Sequence, residues 1–278
     1  MASMAHRLTW KWKGERTPLD PRWLQIGFLF SFLCLGVELS AVPWWEPLLT
    51  VTAALATQAV GLRARWRDWP AYLSPVITGL GLALLLRTDA LWVPPLAATL
   101  AIGSKFLIRF RGKHVFNPAN LGLVAMMATT AHAWCSPSQW REQTLVIVWF
   151  AVLGLAVTVR AFRSDISLAF LGSWFLLKAG RVLYLGQRPE VLAHQMLTGG
   201  LIVFAFFMIS DPKTTPDHRW GRILFAVSVA VLAFTLQHGF WIQTALFWSL
   251  FLLSPFTPLF DRVFQARRFA WPKAQLAT

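Results

Sequence analysis

The chain has 278 residues, of which 56% are hydrophobic and only 14% charged. That balance excludes a water-soluble domain, which would be left with far too much apolar surface. A net charge of +14 raises nucleic acid as a partner, but the Lys and Arg residues recur in short bursts between apolar stretches. That is how a multi-pass protein fixes its orientation in a lipid bilayer, and it argues against nucleic-acid binding.

Taken in chain order, apolar runs bounded by charge, Pro or Gly predict spans at 23–42, 47–62, 71–87, 91–108 and 116–134. A second set follows at 143–160, 165–185, 192–209, 221–237 and 239–257. The expected fold class is an all-α polytopic membrane protein of about ten transmembrane helices. A basic tail (1–22) leads into a membrane domain (23–258), and a second basic tail (259–278) follows it. The first run is too long and too basic on its leading side for a cleavable signal, and it is read as retained. The 16 Trp residues against two Tyr suit lipid–water boundaries.

Orientation follows from the basic residues. Of the 26 Lys and Arg, 21 fall on the tails and on the alternate connections that share their side, whereas Arg87, Arg141, Arg181 and Arg188 lie opposite. One missed span would swap every later loop, so this asymmetry places both termini in the cytoplasm, N-in and C-in at the inner (cytoplasmic) membrane.

An internal echo joins the halves. The third span carries Thr78-Gly79-Leu80-Gly81 and ends at Thr88-Asp89; the eighth carries Thr198-Gly199-Gly200 and ends at Ser210-Asp211. Two inverted five-helix repeats, 23–134 and 143–258, would produce this, and such a construction places ligand sites where the repeats meet. Chance similarity between glycine-bearing apolar helices is the plainer alternative.

Chemistry is concentrated in two loops. The first runs Gly103-Ser104-Lys105, then Arg109-Phe110-Arg111-Gly112-Lys113-His114-Val115-Phe116-Asn117-Pro118-Ala119-Asn120. Asn117 and Asn120 are side-chain amides able to present donors and acceptors to a heterocycle such as a flavin pyrimidine ring. Equally, Asn117 can be a helix N-cap with Pro118 at the first helical position, a role that needs no ligand. The second loop runs Phe206-Phe207-Met208-Ile209-Ser210-Asp211-Pro212-Lys213-Thr214, on the same side by the charge distribution. Asp211 before Pro212 can serve a local Asx turn; the two loops can also converge on one site. Cys34 and Cys135 lack any CxxC or Cys/His spacing, so neither a metal site nor a structural disulfide is expected.

Residues 103–120 and 197–222 resemble the RnfD and NqrB membrane subunits, which belong to the Rnf ferredoxin:NAD oxidoreductase and the sodium-pumping NADH:quinone oxidoreductase. The resemblance covers about 70–250 and rests on the Asn117-Pro118-Ala119, Thr198-Gly199-Gly200, Phe206-Phe207-Met208 and Ser210-Asp211-Pro212-Lys213-Thr214 strings. It implies inverted repeats with a urea-transporter-like architecture and flavins that relay electrons. Members carry FMN on a Thr in a long outward loop between the fifth and sixth spans. Here that loop is only about 133–143 and lacks the motif, so covalent FMN is not expected.

What remains matches the family's cytoplasmic flavin region. By resemblance Asn117, Asn120, Asp211 and Thr214 are the first candidates, with Gly199 and Gly200 in the same matched strings. Phe116 and Phe207 can pack on a ring system, though core packing explains such aromatics too. Lys113, His114 and Arg219 can attract a phosphate or an acidic partner; orientation in the membrane is the simpler account. Glu38 and Lys178 fall inside spans at similar depth, where they can pair, or Lys178 can snorkel outward.

The expected function is therefore an integral electron-transport subunit holding a non-covalent flavin (riboflavin or FMN) or a quinone near the cytoplasmic face, beside other membrane or redox subunits. A small-solute or ion transporter on the same fold is the alternative. No motif for self-contained catalysis is present.

Overall fold

A computed structural model describes residues 20–38, 42–63, 66–135 and 144–269. The first half holds α1 (Pro21–Glu38), α2 (Trp45–Gly61), α3 (Leu73–Leu85), α4 (Val93–Leu107) and α5 (Pro118–Thr129). The second holds α6 (Thr144–Arg160), α7 (Ser164–Tyr184), α8 (Pro189–Met196), α9 (Gly199–Val203) running into a π turn at Phe204–Met208, α10 (Arg219–Gly239), α11 (Ala245–Leu253) and α12 (Thr257–Val263).

Each expected span contains a helix, but lengths depart from expectation. Among the described residues only α7 and α10 are individually long and apolar enough to cross a membrane, and α8 with Gly199–Met208 forms a third candidate across a 53° bend. The helices α3 and α5 have 13 and 12 residues, about 18–20 Å of rise against a hydrocarbon core of ~30 Å. The spans expected at 71–87 and 116–134 end instead in short strands, β1 (Leu86–Thr88) and β4 (Ala133–Cys135). These pair antiparallel, Leu86 opposite Cys135 and Thr88 opposite Ala133. Extended backbone away from water needs such pairing, because each unmet N–H or C=O costs several kcal/mol, roughly, in an apolar surround.

Arg87 closes α3 from within this strand. Its guanidinium donates to the carbonyls of Ala83 at 2.9 Å, Leu84 at 3.1 Å and Leu86 at 2.6 Å, the acceptors that a helix C-terminus leaves open. Glu46 on α2 supplies the counter-charge at 3.3 Å, both side chains being buried.

Helix α1 packs on α3 and α6, α2 on α3 and α4, α4 on α5, and α7 on α10, which also meets α11. The halves join through aromatic rings. Phe28 of α1 stacks on Phe207 of the π turn with centroids 4.7 Å apart, and Phe32 lies 3.9 Å from Phe150 of α6. Glycine permits a close approach of two backbones. A Cβ on Gly122 of α5 would lie 2.5 Å from the carbonyl oxygen of Ala97 on α4, so the two backbones touch there as small-residue helix pairs do.

The expected basic C-terminal tail is partly ordered structure. Within 259–278, α12 reaches Val263 and residues 264–269 continue without regular secondary structure, while 270–278 lie outside the described residues, as do 1–19 and 136–143. Helix α1 begins at Pro21, slightly earlier than the span expected from 23.

Candidate functional site

The loop after α4 is a hairpin. Strands β2 (Arg109–Phe110) and β3 (Lys113–His114) pair with Arg109 opposite His114. Arg111 and Gly112 turn between them with φ of 49° and 81°, the positive values that a tight two-residue hairpin turn demands and that Gly supplies without strain. Lys113 anchors the hairpin by donating to Asp217 Oδ2 at 3.1 Å and Asp261 Oδ2 at 2.8 Å. It is thereby committed to internal ion pairs.

Asn117 then starts α5. Its backbone is extended and its Oδ1 accepts the Asn120 N–H at 3.0 Å, with Pro118 at the first helical position. The local N-cap reading of Asn117 is thus realised. The same side chain also reaches across the molecule, its Nδ2 donating to the Met208 carbonyl at 3.2 Å and to Asp211 Oδ2 at 3.4 Å. Asp211 forms the Asx turn, Oδ1 accepting the Lys213 N–H at 3.0 Å, while its carbonyl accepts from the Thr215 hydroxyl at 2.8 Å. The Asn-Pro and Asp-Pro turns therefore meet in direct contact.

Beneath this contact lies a cavity of about 320 Å³, within the range of small-molecule pockets. Of the residues singled out in the sequence, Asn117, Asp211 and Phe207 line it, with His114 at the hairpin end. Asn120 and Thr214 stand behind the wall: Asn120 Nδ2 donates to the Phe247 carbonyl at 3.1 Å, and the Thr214 carbonyl accepts from Thr257 Oγ1 at 3.2 Å. Phe116 stacks on Phe251 at 4.9 Å, and Gly199 and Gly200 are buried in the first turn of α9, away from the lining. Arg219 opens α10 and is exposed.

Capping, the Met208 carbonyl and the Phe247 carbonyl engage the Asn117 amide and the Asn120 Nδ2, while Asn120 Oδ1 is buried without a hydrogen-bond partner. Other groups face the hollow instead. Lys105 of α4, buried, donates to Ser74 Oγ at 2.9 Å; Thr78 of α3, Thr158 of α6 and Gln58 of α2 also line it. Gln58 Oε1 and His114 Nδ1 are buried at the wall without a hydrogen-bond partner, so polar capacity is open toward an occupant. Burial pushes the His114 imidazole below the ordinary histidine range; Asp211 opposes this, and the cations Arg109, Lys105 and Lys213 reinforce it.

The walls combine aromatic rings with polar groups. Phe106, Phe206 and Phe207 are in the apolar part of the lining, Asp211 is an acceptor, Lys105 a donor, and His114 a donor or acceptor.

The two charges inside spans do not pair. Lys178 is buried between α7 and α10, 2.7 Å from Gln237 Oε1 and 3.0 Å from His238 Nε2, with Nζ 4.6 Å from the centre of the Trp174 ring. Glu38 ends α1 exposed. Lys178 therefore meets its needs on α10 rather than by reaching Glu38 or the surface. Among the described residues no cluster of His, Cys, Asp or Glu is arranged to hold a metal ion.

Comparison with known proteins bears on this arrangement. Residues 138–270 match the model of the NQR2, RnfD, RnfE family. The chain is 26% identical to a subunit of the ion-translocating oxidoreductase complex of Alcanivorax borkumensis, over 83% of this chain and 86% of that protein. It is likewise 26% identical to a subunit of the proton-translocating ferredoxin:NAD(+) oxidoreductase complex of Clostridium ljungdahlii, over 70% of this chain and 74% of that one. The family model covers the Asp-Pro turn and these relatives align along most of the chain, so the chain is similar to proteins of the NQR2, RnfD, RnfE family.

Proposed function

We propose that this chain is the membrane subunit of an ion-translocating oxidoreductase complex and holds a non-covalent flavin, or a quinone in its place, in the cavity between the Asn-Pro and Asp-Pro turns. The observation that carries the reading is the direct contact of those turns above a hollow with unpartnered polar atoms and phenyl walls. The names of the relatives support the complex and the partner subunits. A bound flavin would supply the electron-transfer chemistry. The protein's part would be to orient it: Asp211 would accept from a ring N–H, Lys105 and His114 would face ring carbonyls, and Phe206 and Phe207 would exclude water.

The same reading puts the cavity near the cytoplasmic side of the inner membrane, with both termini inside and the ten helical segments forming two inverted repeats. The bias of Lys and Arg toward one set of loops supports it.

Riboflavin titration of the purified full-length protein, followed by quenching of flavin fluorescence, tests the cofactor assignment. Saturable binding is expected, weakened about tenfold or more in Asp211→Asn through loss of a charged acceptor. No saturable binding, or binding indifferent to Asp211→Asn and to Lys105→Met alike, would overturn it.

A further inference from the structure

A smaller hollow of about 180 Å³ adjoins the cavity, and Arg109, His114, Pro212 and Lys213 line both. The smaller one is completed by Gly112, Lys113, Asp217, Arg268 and Phe269. Its charge is one-sided. Four cationic side chains, Arg109, Lys113, Lys213 and Arg268, face a single carboxylate, Asp217.

Asp217 is already engaged. Its Oδ2 takes Lys113 at 3.1 Å, and its Oδ1 takes the Phe269 N–H at 3.2 Å with Arg163 3.9 Å away. Among the described residues, Arg109, Lys213 and Arg268 have no carboxylate within ion-pair distance. Lys213 Nζ lies 3.5 Å from the Phe269 carbonyl and the Arg109 Nε–H donates to the Lys105 carbonyl, so neutral oxygens are their partners. Three cations around one concave space repel one another unless an anion joins them. Phosphate suits this set, since guanidinium groups fork onto its oxygens and an ammonium adds a point charge. The tip of the hairpin leaves room for it: Gly112 has no side chain, and Arg268 NH1 would lie 3.5 Å from a Cβ there.

We propose that this hollow binds a phosphate monoester, and that the occupant of the larger cavity is the phosphorylated mononucleotide form of the flavin, its phosphate held by Arg109, Lys213 and Arg268. The second half of this statement rests on the flavin reading of the cavity; the first half does not. The shared wall makes the link, because Arg109, His114, Pro212 and Lys213 belong to both hollows.

The experiment uses the purified full-length protein in phosphate-free detergent buffer, titrated separately with riboflavin and FMN and heated in the presence of inorganic phosphate. FMN is expected to bind at least about tenfold tighter than riboflavin, one charge-assisted hydrogen bond or more. Inorganic phosphate should compete with FMN but not with riboflavin. Arg268→Gln, at an exposed position outside the larger cavity, should narrow the gap without weakening riboflavin. Equal affinities for the two flavins, with riboflavin binding intact, overturn the inference and leave the flavin reading standing. If neither flavin binds while phosphate raises thermal stability in an Arg268-dependent way, the phosphate site stands and the flavin reading falls. A short-chain phosphatidic acid that displaces FMN far more strongly than inorganic phosphate would identify the phosphate source as lipid and overturn the mononucleotide assignment.

Discussion

His114 shows how one side chain reports on the candidate site. It sits on the second strand of the hairpin, faces the cavity, and has a buried ring nitrogen without a partner. Because burial lowers its folded-state pKa, the unfolded chain takes up the proton first as pH falls through the ordinary value of about 6.5. More protons are then bound in the unfolded state, so stability declines as pH falls and the loss levels off once the folded imidazole also protonates. Thermal unfolding of wild type and His114→Gln should therefore diverge in slope below neutral pH, wild type losing stability more steeply and the two running parallel above about pH 7.5. Identical slopes would show that the imidazole is not desolvated. The local roles of Asn117 and Asp211 were legible in the sequence because their bonds reach only two or three residues along the chain. The lining by Lys105, Ser74 and Thr78 was not, since it depends on which faces α3 and α4 turn toward each other, and Lys105 reads in isolation as one more orienting charge.

At the scale of elements, close backbone contact sets the packing of α4 against α5. Gly122→Ala places a methyl 2.5 Å from a backbone oxygen and 3.0 Å from Ala101 Cβ, neither of which can swing aside. The substitution should cost about 1–3 kcal/mol, read as a lowered unfolding midpoint in detergent. Gly103→Ala on α4, where nothing lies within 4 Å, should be neutral or stabilising by up to about 1 kcal/mol through helix propensity. Equal midpoints for the two variants would show that α4 and α5 are not in backbone contact. The same scale explains what the apolar runs hid. Two- and three-residue strands carry no readable period, so the hairpin and the β1–β4 pair were absorbed into loops and spans. The break between α8 and α9 falls at Leu197-Thr198, where Thr198 caps the new helix, a polar signal easily lost in an apolar stretch.

For the whole molecule, the helical composition and the position of each segment follow from hydropathy, because burying about 20 apolar residues leaves few alternatives. Side assignment rests on charge and is testable directly. In a background with Cys34→Ser and Cys135→Ser, intact cells should label Gln187→Cys with a membrane-impermeant maleimide and leave Arg219→Cys unlabelled until the membrane is opened; both positions are exposed. The reverse pattern would invert the proposed orientation, and with it the side from which the cavity is reached.

The pairing of β1 with β4 bears on how the cavity can change shape. Helices α3 and α5 both present residues to it, Thr78 and Asn117 among them, while their far ends are laced together by the ladder. An occupant pushing at the Asn117 end would tilt the two helices as one plate, like a door on a single hinge. Compliance would then fall to the facing wall, where the 53° bend and the π turn interrupt the backbone rails, giving one stiff jaw and one yielding jaw.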